Sequence, residues 1–109
     1  VRVLGRRTKQ RARAAGRLVP DRAAGLDHAG HLDESTLAAS IAALAGGDGI
    51  ADLTTHPGAD PDPDRARYRW GYRWSEELRA LCSAAARQAV QRAGFTLTDY
   101  VQLCGTGPR

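Results

Sequence analysis

A chain of 109 residues, 42% hydrophobic with one Phe, three Tyr, two Trp and no Met, makes one domain at most, and its core must lean on alanine. The net charge of +4 is local: residues 1–22 carry eight Lys/Arg against one acidic residue, so the remainder is slightly acidic. Cys82 and Cys104 show no CxxC and no His at ligand spacing, and no apolar run nears the roughly 18 residues that cross a bilayer, which argues against a zinc site, a secreted disulfide scaffold and a membrane span. The expectation is a soluble, cytoplasmic protein with reduced thiols.

Residues 1–4 read equally as the stub of a strand or the start of a helix. Arg6 to Ala15 consists of good helix formers and Gly16 offers a stop. Only Ala12, Ala14 and Ala15 can form an apolar face, so this helix is expected on the surface. Its basic run is either a solvated outer face or a phosphate-contacting arm for nucleic acid, with no aromatic interleaved to stack on bases. Leu18-Val19 before Pro20 is a short extended piece, and Asp21 to Gly30 is a loop. His28 and His31 form an H-x-x-H pair. Gly30 between them points to a turn rather than to one helical face, and no carboxylate is fixed to complete a metal site.

Asp33 to Leu44 is the clearest early helix: Asp33 suits the N-cap, Glu34 the first turn, and Leu37, Ile41 and Leu44 repeat at i, i+4 and i+7. Asp48-Gly49 then turns the chain into a strand over Ile50 to Thr55, the order of an αβ unit. Pro57 pushes His56 away from helical geometry, so its imidazole stands where a strand ends and a loop begins, the edge at which α/β folds build active sites. The alternative for His56 is a loop residue bonded to backbone. Asp60 to Asp64 is a surface loop.

Arg65 to Trp74, RARYRWGYRW, holds four of the six aromatics. Flat rings among fixed donors suit sugar faces, bases, carboxylates or a partner surface; equally, the rings roof the core while the arginines reach out to solvent. Ser75 is expected to cap the next helix, with Glu76 and Glu77 matching its dipole and Leu78, Leu81 and Cys82 on one face. Ser83 recaps a segment from Ala84 to Ala93, with Ala86 and Val90 inward and Gly94 as the stop. Phe95 to Tyr100 alternates and reads as a final strand, and the chain past Cys104 as a frayed tail.

The run GLDHAGHLDESTLAASIAAL, a strand closing in THPG, an Arg/Trp loop, the EELRAL helix and AVQRAGF before a last strand together resemble the C-terminal part of the YdjC/ChbG-type carbohydrate deacetylases, most closely their HpnK branch, associated with hopanoid biosynthesis. The resemblance covers roughly residues 8–103. It implies an α/β fold, the C-terminal portion of a TIM-like barrel incomplete as given. That divides residues 1–109 into a basic surface helix (1–17), αβ units with about three strands and three or four helices (18–103) and a tail (104–109). It implies a hydrolase that removes acetyl groups from N-acetylated sugars or glycolipids with a divalent metal, Mg or Zn. The family's metal ligands, an N-terminal Asp-Asp motif and histidines ahead of this region, are absent from the chain, so none is expected to be bound by this chain alone.

His56 matches the histidine of the family's HPG and is the implied catalytic residue. Arg69, Trp70, Arg73 and Trp74 are the implied substrate contacts, although the chain reads Arg73-Trp74-Ser75 where the family tends to show an Arg-Glu combination. Alone the chain is expected to be inactive and completed by the missing N-terminal half or by oligomerisation. The alternative is a small basic interaction module that binds nucleic acid through Arg6, Arg7, Lys9, Arg11 and Arg13; for the deacetylase reading no nucleic acid is expected.

Overall fold

Leu37, Ile41 and Leu44 lie on one stripe of a helix, and that stripe becomes the centre of the molecule. The computed structural model describes residues 2–105; Val1 and residues 106–109 of the expected tail lie outside the described residues. Helix α2 (Glu34–Leu44) follows β1 (Arg22–Ala24) and precedes β2 (Ala51–Leu53). It starts where Asp33 Oδ1 accepts the N–H of Thr36 at 2.8 Å, and this bond holds the Asp33 carboxyl below its ordinary range. Its buried Leu37 and Ile41 meet Ala80 and Ala86, with Leu53, Ala89, Val90, Ala93 and Phe95 packed around them. Five of those nine residues, counting Val90, are alanine or valine, so the core is as thin as the composition requires.

The two strands are parallel, Arg22 opposite Ala51 and Ala24 opposite Leu53, joined through α2 as a βαβ unit. Before them comes α1 (Arg2–Ala14), a largely exposed helix tied down at its C-terminal half. Arg13 Nη2 donates to Asp21 Oδ1 at 2.5 Å and Lys9 Nζ to the Asp21 carbonyl at 2.8 Å. After β2 come α3 (Trp74–Leu81), α4 (Ala84–Arg92) and α5 (Tyr100–Leu103), with single 3-10 turns at Leu26–His28 and Arg65–Arg67. The chain is therefore α/β, with a small two-stranded parallel sheet among the described residues. No helix among them is long and apolar enough to cross a membrane, and Cys82 and Cys104 are free and exposed.

Several expected elements come out differently. Residues 2–4 are the first turn of α1. The stretch read as a loop from Asp21 contains β1, whose three residues Arg-Ala-Ala carry no β signal and are extended because Ile50 and β2 supply their hydrogen bonds. Leu18-Val19 lies outside any strand. Phe95 to Tyr100 is not a strand: Asp99 Oδ1 accepts the Gln102 N–H at 2.7 Å and starts α5, so a capping side chain overrides the alternation, leaving Leu97 80% exposed. Among the described residues there are two strands where about three were expected. Ser75 does not cap α3, which begins at Trp74 behind Arg73 without a side-chain cap. Its inward face is Glu77 with Ala80 rather than Leu78, Leu81 and Cys82; Leu81 and Cys82 are exposed. Ser83 does cap α4, its Oγ accepting the Ala86 N–H at 3.1 Å.

Candidate active site

Both strands run in the same direction, so the loops leaving their C-terminal ends are neighbours. The ladder continues one bond past the strands, Thr54 N–H to the Ala24 carbonyl at 3.0 Å. Beyond that bond the chain carries no regular secondary structure through His56-Pro57. The His56 N–H donates to Glu77 Oε2 at 2.6 Å, and the Leu32 N–H, from the loop after β1, donates to Glu77 Oε1 at 3.2 Å. One buried carboxylate thus holds both loops. The His56 Nδ1 is buried and has no hydrogen-bond partner.

The aromatic segment forms the wall of the same region. Tyr72 packs against the His56 ring at 5.1 Å between centroids, nearly edge-on, and lies 6.3 Å from the His31 ring. From Tyr72 the rings continue to Trp74 at 5.0 Å and Trp70 at 5.5 Å, and from Trp70 to Tyr68 at 5.2 Å. Two backbone bonds dock this segment: Arg73 N–H to the Gly30 carbonyl at 2.7 Å and Gly58 N–H to the Trp74 carbonyl at 3.0 Å. Gly30 has φ +77°, and a Cβ there would stand 2.1 Å from Tyr72 Cγ. Only glycine permits this approach.

Beside His56, a cleft of about 330 Å³ is lined by Pro57, Gly58, Asp62, Arg65, Tyr68, Trp70 and Trp74. Trp70 is 58% exposed and Tyr68 50%, so the rings both reach solvent and form a wall. Of the four residues expected to contact substrate, Trp70 and Trp74 line the cleft. Arg69 is exposed beside it in the chain, and Arg73 places its guanidinium 3.4 Å from the Glu76 carboxylate. Arg65 is the arginine in the cleft, held by Asp60 Oδ1 at 3.1 Å and by the Ala59 carbonyl. Sequence reasoning missed Arg65, since the loop has no period to say which arginine turns inward. It also missed Glu77, since a Glu in the first helical turn already has a sufficient explanation in the dipole.

The H-x-x-H pair does not come together as a site: His28 sits in an exposed 3-10 turn, while His31 Nδ1 lies 3.0 Å from the Ala29 carbonyl. Among the described residues no three of His, Cys, Asp and Glu gather as metal ligands would. What is gathered can hold and exchange a proton at an imidazole, present flat apolar faces to a ligand, and offer it a guanidinium and a carboxylate.

A comparison with models of known families matches residues 2–92 to one described as YdjC-like protein. No curated protein and no solved structure gives a match.

Proposed function

The chain belongs to the YdjC-like family, a family of carbohydrate deacetylase type, and from that premise we propose that it is the C-terminal portion of a TIM-like barrel that hydrolyses the acetamide of N-acetylated sugars or glycolipids, within the HpnK branch. The observation that carries the reading is His56: an imidazole with a buried, unpartnered Nδ1 at the C-terminal end of a parallel strand, beside an aromatic cleft. The sheet supports the barrel, because two parallel strands do not make a self-sufficient sheet and parallel strands are normally flanked and covered. On this reading residues 18–103 are αβ units of the barrel, α1 is an outer helix, and a missing N-terminal half or another copy completes the structure in the cytoplasm.

Amide hydrolysis expels an amine that must be protonated, and the tetrahedral oxyanion must be stabilised. His56 serves one of these steps, as proton donor to the leaving nitrogen or as a donor to the oxyanion. Trp70 and Trp74 take the apolar face of the sugar ring, and Arg69 and Arg73 serve its polar groups from the loop. The divalent metal implied by the resemblance, Mg or Zn, does not fit the residues described, which offer no ligand cluster. On this reading its ligands belong to the completing part. The 109-residue chain alone is expected to release no acetate from N-acetylated sugars with Mg or Zn present; release would overturn the fragment reading.

The chain's two tryptophans are both in the cleft, so its intrinsic fluorescence reports on the site. Titration with an N-acetylglucosamine oligomer should give a saturable change that Trp70→Ala removes; an unresponsive spectrum would defeat the sugar-binding claim. In an intact family enzyme, normal turnover after replacing the histidine equivalent to His56 by alanine would defeat the catalytic one.

A further inference from the structure

We propose that Glu77 is the positioning residue of His56, fixing the imidazole through the His56 backbone N–H and tying the two strand-end loops into one unit. Glu77 is 0% exposed, the most completely buried ionisable side chain of the core. The helix dipole favours an acid in the first turn of α3 but does not account for its burial: the rest of the inward face is Ala80, and burying a carboxylate is costly unless hydrogen bonds compensate it. Two N–H donors do so, one on each oxygen. They come from Leu32, itself 1% exposed, and from His56, so one side chain on α3 sets the spacing between the loops that follow β1 and β2.

The imidazole is then bounded from two directions. Glu77 fixes its main chain at 2.6 Å, and the Tyr72 ring, held against Gly30, stands at 5.1 Å. A proton-transferring group must be held to within a fraction of an ångström of its working place. The inference deepens the assignment of His56 above and rests on it for its catalytic meaning, but its test measures no deacetylation, so the two fail separately.

The test uses the full 109-residue chain in solution. A scalar coupling across the hydrogen bond, between the His56 amide nitrogen and the Glu77 carboxyl carbon, is expected in the wild type. Its absence overturns the inference whatever any variant does. In Glu77→Gln, exchange of the His56 amide should speed up about ten- to a hundredfold, the value of a hydrogen bond to a charged group, while the Ile41 and Ala86 amides of the core are unchanged. The reactivity of His56 toward diethyl pyrocarbonate should rise toward that of exposed His28 in the same molecule. A folded Glu77→Gln chain with an unchanged His56-to-His28 ratio, or with all amides accelerated alike, would make Glu77 a merely structural residue and overturn the proposal.

Discussion

The two ends of the small sheet are each pinned by a carboxylate that accepts backbone N–H groups, and the two carboxylates live in opposite environments. At the N-terminal end, Asp21 Oδ2 accepts the Ile50 N–H at 2.9 Å, Oδ1 accepts from Arg13, and the side chain is 41% exposed. At the C-terminal end Glu77 accepts from Leu32 and His56 with no exposure at all. Water can replace much of what Asp21 provides, and its ion pair is of the surface kind that contributes little. Water is a poor replacement for Glu77, because the Leu32 amide it satisfies is buried and the His56 amide half-buried. The same bond is therefore a convenience at one end of the sheet and a requirement at the other, and the requirement is at the end that carries His56.

The largest test of this contrast is Glu77→Ala, which leaves the buried Leu32 N–H and the half-buried His56 N–H without their acceptor and is expected to cost about 3 kcal/mol, read from urea unfolding at constant m-value. Next is Gly30→Ala. At φ +77° with Tyr72 in the way, it should lose about 1–3 kcal/mol and displace Tyr72, with a change in the fluorescence of neighbouring Trp70 and Trp74. Asp21→Asn should lose less than either, and the loss should shrink with added salt. A cost equal to that of Glu77→Ala would break the comparison.

The pH dependence sharpens it. The Ile50 N–H bond, with help from Arg13, holds the Asp21 carboxyl below its ordinary value of 3.8. A depressed folded value means the unfolded chain binds the proton more readily, so the contribution is fully present above that ordinary value and is lost as pH falls below it. The gap in unfolding midpoint between the wild type and Asp21→Asn should accordingly close in acid. The smallest effect is on the alkaline side, where burial and the nearby Asp52 raise the Tyr100 hydroxyl above 10.0. Its contribution is present below that value and lost as pH rises through the folded one, and Tyr100→Phe should flatten this alkaline decline.

Helix α2 was legible because a complete signal lies within a dozen residues: a capping Asp33 and three apolar side chains at helical spacing. The same holds for α4 behind Ser83 and for β2 running into His56-Pro57. β1 was not, since Arg-Ala-Ala has no local preference and is a strand only because Ile50 and β2 lie beside it. The final strand misled because Phe95 to Tyr100 does alternate, yet among the described residues no strand pairs with it, and Asp99 caps a helix instead. In the site, the density of rings in RARYRWGYRW was visible, but which arginine enters the cleft was not.

The sequence by itself determined what short-range physics controls: the alanine-rich core helices, the basic outer helix, the strand that delivers His56 and the ordered motifs that mark the family. Only the tertiary structure decided that Glu77 points inward. Helical periodicity says which residues share a face, whereas which face is buried depends on what packs against it. A carboxylate is buried only when donors distant in sequence converge on it, here Leu32 at 45 and His56 at 21 residues' separation.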